Sequence, residues 1–109
     1  MTLSPRASRG FTPRQGIYRV LHHPTGKMLI GHGTHLTGIL NRIRFQLETG
    51  CHPRRALQQD WNADGPAGFT FEVLDELAPL GPAADPADDL RELLTLWREN
   101  LQLGPGDEY

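Results

Sequence analysis

The chain has 109 residues, enough for one domain with one modest hydrophobic core. Hydrophobic residues make up 38% and charged residues 22%, which fits a folded globular domain, and no apolar run is long enough to span a membrane. The single cysteine, Cys51, excludes an internal disulfide and cannot by itself supply a cysteine metal cluster; it fits a reducing, cytoplasmic compartment. The formal net charge of −2 hides an asymmetry: residues 1–55 carry nine Lys/Arg against one acid, Glu48, whereas residues 56–109 carry two against twelve acids. Such a split suggests a basic face suited to phosphates and an acidic face, or halves that attract each other in the fold.

Residues 1–14 are polar, with Pro, Ser and Arg6, Arg9 and Arg14. They lack the apolar stretch of a signal peptide and read as a flexible basic tail, an arm for nucleic acid or a simple unstructured end. "GIYRVLHHPTGKMLIG" at 16–31 follows. Ile17–His22 and Lys27–His32 are short β-prone runs, and the "HPTG" between them supplies the Pro and Gly of a reversal, so the spacing predicts a β-hairpin. In "GTHLTGILNRIRFQLETG", Leu36, Ile39, Leu40, Ile43 and Leu47 recur at helical spacing. Thr34 or His35 opens that helix and Gly50 ends it.

"CHPRRALQQDWNADG" predicts a shorter helix with Pro53 in its first turn and Leu57 and Trp61 on one face. "FTFEVLDEL" alternates, with Phe69, Phe71 and Val73 to one side, and predicts a third strand. A Pro/Ala/Asp loop leads to a last helix, capped by Asp85 or Asp88 and striped with Leu90, Leu93, Leu94, Trp97 and Leu101. The order β-β-α-α-β-α predicts an α+β fold: a small three-stranded sheet flanked by helices.

The pair Gly16-Ile17-Tyr18 and Leu29-Ile30-Gly31, followed by Gly50, His52, "LQQDWNADG" and "FTFEVLDEL", resembles the GIY-YIG nuclease domain superfamily over roughly residues 16–102. It looks most like small stand-alone bacterial members. The resemblance implies a domain over 15–103, followed by a short C-terminal tail at 104–109. It also implies the family chemistry, cleavage of a phosphodiester with one divalent metal, usually magnesium, held by a glutamate and assisted by a tyrosine and a cation.

Carried over by position, the first tyrosine of the family matches Tyr18. The second falls at Leu29, the arginine at Ile39, the histidine at Ile43 and the glutamate at Leu94, three residues before Trp97. Aliphatic side chains offer a divalent ion no oxygen ligand. Arg42, three residues after Ile39, is a candidate substitute cation; Glu92 lies on a different helical face from Leu94. The leading expectation is a GIY-YIG-like domain without the usual cleaving site, one that binds DNA or RNA through its basic half. The alternatives are an active magnesium-dependent nuclease with a rearranged site and a protein-interaction or homodimer module using Ile39 and Ile43.

Candidate contacts to phosphate are Lys27, Arg42, Arg44, His52, Arg54 and Arg55, because guanidinium groups match phosphate oxygens in pairs. Tyr18 reads either as a general base or as an ordinary half-buried strand tyrosine. His22 and His32, at ends of the hairpin, read as possible neighbours. With no nearby cysteine and no H-x-x-x-H, no metal site is assigned. Phe45 and Trp61 read as core residues rather than stacking platforms.

Overall fold

A computed structural model of the chain describes residues 14–78 and 85–109. The elements follow the expected order: β1 (Gly16–His22), β2 (Met28–Gly33), α1 (Leu36–Glu48), α2 (Arg55–Asp64), a short 3-10 turn (Pro66–Gly68), β3 (Phe69–Glu76) and α3 (Ala87–Leu101). The three strands form an antiparallel sheet in the order β2-β1-β3, with the Gly-Ile-Tyr strand in the middle. The second strand begins at Met28, one residue later than the sequence pattern suggests, because the Lys27 carbonyl closes the hairpin turn by accepting from the His22 amide at 2.9 Å.

Alternation along β1 serves two layers. Val20 packs with Ile43, Leu47, Leu57, Trp61 and Phe69, so α1 and α2 cover one face of the sheet. Ile17 packs with Ile30 and Leu94, so α3 covers the other. Each fully buried aliphatic side chain stabilises the fold by about 1.5–3 kcal/mol in transfer terms. At the Tyr18 end of β1 the ladder is irregular: Ile17 pairs with Asp75 and Tyr18 with Val73, leaving Leu74 as an extra residue on β3. The bulge turns two successive residues toward α3, where Leu74 joins the packing and the Asp75 carboxylate accepts from the Trp97 indole at 3.0 Å.

The end of α1 is built as the sequence predicts. Gly50 has a φ of 79°, its amide donates to the Leu47 carbonyl, and the Cys51 amide donates to that of Gln46. This paired closure is a Schellman motif, and it needs the left-handed backbone that glycine adopts at little cost. The chain then turns sharply into α2. Gln58, nearly buried, holds that turn: its amide nitrogen donates to the Leu47 carbonyl at 3.0 Å and its oxygen accepts from the His52 amide at 3.0 Å.

Several local expectations are corrected. Pro53 lies outside the first turn of α2, because Arg54 is the residue that caps that helix. Pro86 occupies the cap position of α3; Asp85 instead accepts from the Ala87 amide at 3.0 Å, and Asp88 pairs with Arg91 within the first turns. His22 and His32 are not neighbours: His22 lies at the turn end of the hairpin, whereas His32 pairs with Ile17 at the open end. Phe45 is not core. It is 64% exposed, because it lies two residues from Ile43 and Leu47, on the outward side of α1.

Residues 104–109 fold back onto the domain rather than trailing from it. The Met28 amide donates to the Asp107 carbonyl and the Tyr109 amide to the Met28 carbonyl, both at 2.9 Å, which extends the sheet beside β2. The Tyr109 ring packs against the α1/α2 core cluster, and its hydroxyl donates to Asp60. Of the N-terminal basic segment only Arg14 is described; it pairs with Glu76 at 2.7 Å, and residues 1–13, like the loop residues 79–84, lie outside the described part.

Candidate nucleic-acid interface

Tyr18 projects from the central strand toward α1. Beside it, β2 contributes Leu29, α1 contributes Ile39, Arg42, Ile43 and Gln46, and the α1–α2 turn contributes His52, Pro53 and Arg54. Together they line an open cleft of about 330 Å³. The fold thus gathers at one place Tyr18 and three of the aliphatic residues, Leu29, Ile39 and Ile43, that the resemblance pairs with it. Ile43 is buried and Ile39 packs on the same core, so both form the floor of the cleft rather than a flat apolar surface.

The polar groups around that floor have one character. Burial pushes the Tyr18 phenol above its ordinary range, only partly opposed by the charges of Arg42 and Arg54, so at neutral pH it is a neutral hydroxyl. Burial and the Arg54 charge hold the His52 imidazole below its ordinary range. Its Nδ1 accepts from the Arg54 amide at 3.0 Å, which assigns the proton of the neutral ring to Nε2. Arg42 and Arg54 are exposed guanidinium groups. Every ionisable group lining the cleft is therefore a hydrogen-bond donor at neutral pH, and none is a carboxylate.

The remaining candidates lie elsewhere. Arg44 leaves α1 on the other flank, pairs with Glu48 at 3.1 Å and covers the rings of Trp61 and Phe71. The Lys27 ammonium sits 5.2 Å from the centre of the Tyr109 ring, and Arg54 donates to the Tyr109 main-chain oxygen at 3.3 Å, so Tyr109 stands between these two cations. Arg55 is exposed at the start of α2. Leu94 does not reach the cleft. It packs on Ile17 and Ile30 on the opposite face of the sheet, because the apolar stripe of α3 must face the strands. Glu92 is exposed on that same helix and does not line the cleft.

The divalent ion implied by the resemblance does not fit this donor set. Among the described residues no group of three or more His, Cys, Asp or Glu side chains is arranged to hold a metal ion, and the cleft offers a hard cation only a phenol, an imidazole and an amide. An anion fits it better. Sequence reasoning missed Gln46 and Gln58, the first a wall of the cleft and the second the clamp that positions His52; neither residue type carries a motif signal.

No protein-family model and no curated protein matches the chain. Solved structures do. The catalytic domain of the homing endonuclease I-TevI is 25% identical with a TM-score of 0.66, over 86% of this chain and 96% of that one. A variant of the catalytic domain of the intron endonuclease I-TevI is 26% identical with a TM-score of 0.64, over 82% and 84%. Among the described residues no helix is long and apolar enough to cross a membrane. The chain thus has a GIY-YIG-like fold, the α+β architecture of a nuclease catalytic domain.

Proposed function

We propose that this GIY-YIG-like domain binds the phosphate backbone of nucleic acid in the Tyr18 cleft without cutting it by the metal-dependent route of the family. The observation that supports this reading is the donor set: Tyr18, His52, Arg42 and Arg54 surround an aliphatic floor that lacks a carboxylate. Arg42 and Arg54 pair with phosphate oxygens and offset their charge. The Tyr18 hydroxyl and the His52 Nε2–H donate to the same group. Arg55 and Lys27, outside the cleft, add positive charge that raises the encounter rate.

The test is titration of labelled DNA and RNA oligonucleotides across a range of salt. The slope of log affinity on log salt should be about −0.7 to −0.9 per phosphate contacted, and Arg42→Ala and Arg54→Ala should each lower its magnitude by about one contact. Tyr18→Phe should weaken binding a few-fold, the worth of one neutral hydrogen bond. Absence of salt-sensitive binding to any oligonucleotide would remove the proposal. The position of Arg42 beside Tyr18 favours one second reading, a nuclease with a rearranged site. Magnesium- or manganese-dependent cleavage abolished in Tyr18→Phe would establish that reading instead.

A further inference from the structure

Phe45 is the most exposed large apolar side chain among the described residues, at 64%. The other one, Leu96, is on α3, which packs on the opposite face of the sheet. Among the described residues Phe45 is thus not joined to a second exposed large apolar side chain, as it would be in a patch of the kind that marks a protein-protein interface. Its helical neighbours are polar: Asn41 and Arg42 at four and three residues before it, Glu48 and Thr49 at three and four after. Nothing in the fold requires a phenyl ring there, and exposing one to water forfeits its burial energy.

What the position offers is proximity to charge. Arg42 lines the Tyr18 cleft and Phe45 follows it by three residues, so their Cβ atoms are about 5–6 Å apart on adjoining strips of α1. Gln46, next in the chain, returns to the cleft wall. A phosphate held by Arg42 therefore leaves its own nucleotide within reach of the Phe45 ring. A base can stack on that ring only if it is unpaired, because the faces of paired bases are covered by their neighbours in a duplex. One exposed aromatic ring beside cations is the arrangement by which proteins hold single strands, stacking on the face that every base has.

We infer that the ligand of the cleft is single-stranded nucleic acid, or an unpaired segment of a larger one, and that Phe45 is the platform on which one base stacks. The inference rests on the phosphate-binding reading above and adds the class of strand. Because Phe45 is exposed, its substitution leaves the core intact.

The experiment compares a fluorescein-labelled single-stranded oligonucleotide with its duplex, using wild type, Phe45→Ala, Phe45→Trp and the Arg42→Ala/Arg54→Ala pair. The expected result is a loss of single-strand affinity in Phe45→Ala of roughly five-fold to a hundred-fold. Duplex affinity hardly changes, and Phe45→Trp retains the single strand and shows quenched indole fluorescence on binding it. Equal losses for both strand forms, or an unchanged single-strand affinity in Phe45→Ala, would overturn the inference. If the arginine pair still abolishes binding in that case, the phosphate reading survives alone. If wild type binds neither form, both readings fall.

Discussion

The ring of Tyr18 lies flat across Gly31, its cross-strand partner: a methyl group placed on Gly31 would fall 2.5 Å from the phenol oxygen and 2.7 Å from Cζ. The glycine of the Leu-Ile-Gly strand is therefore a space requirement set by the tyrosine of the Gly-Ile-Tyr strand. Its missing side chain is what leaves room for the ring at the edge of the cleft that Arg42 and His52 also line.

Gly31→Ala should accordingly destabilise the fold by about 1–3 kcal/mol, the usual cost of overpacking a buried site. Urea unfolding measures it. The loss should shrink in the Tyr18→Ala background, with a coupling of at least about 0.5 kcal/mol, because removing the ring clears the space. Additive losses would show that the two residues do not share it.

His52 makes stability depend on mildly acidic pH. Its folded-state value is depressed, by burial first and by Arg54 second, whereas an unfolded histidine titrates near pH 6.5. As pH falls, the unfolded chain takes up the proton first. The contribution is therefore intact above about pH 6.5 and is lost as pH falls through the depressed folded value. Urea midpoints measured above and below that range should drop more in wild type than in His52→Gln. The same histidine should titrate higher when inorganic phosphate is added, if an anion sits beside it.

Tyr109 carries the opposite sign, at alkaline pH. Burial raises its phenol strongly, and the neighbouring Asp60 carboxylate, which accepts its proton in a hydrogen bond, raises it further. The unfolded tyrosine ionises near pH 10 while the folded one does not, so this contribution is present below about pH 10 and is lost as pH rises beyond it. Tyr109→Phe should cost about 1 kcal/mol at neutral pH and flatten the alkaline limb of the stability profile. An unchanged alkaline limb would mean that the hydroxyl is not held in solution.

Gly38 offers a stabilising change. It sits in the first turn of α1, exposed, and a Cβ there meets nothing closer than the His35 Cβ at 3.9 Å. Gly38→Ala should raise stability by about 0.5–1 kcal/mol through helix propensity alone. A loss instead would reveal a backbone approach that the folded chain does not show.

Much of the fold was legible because its signals are local. Period-two alternation around Ile17 and Val20, the Pro and Gly of the reversal, the helical spacing of Leu36 to Leu47 and the stop at Gly50 each act within a few residues. The candidate site was legible only in part. Tyr18, Arg42, His52 and Arg54 do converge, but Arg44 and Lys27 are drawn to aromatic rings instead, and Leu94 belongs to the other face of the sheet. Spacing places a side chain on a strip of its own helix; it does not say which layer that strip meets.

The sequence by itself determined the order of elements, the hairpin, the amphipathic helices and the aliphatic character of Leu29, Ile39 and Ile43. Those properties depend on backbone conformation and on side-chain chemistry at fixed positions. Only the tertiary structure decided that Phe45 faces water, that Gln58 locks the turn bearing His52, and that residues 104–109 close back on β2. The first two depend on which sides of α1 and α2 meet the sheet, and the third on contacts between segments far apart in the chain, none of which the local sequence pattern fixes.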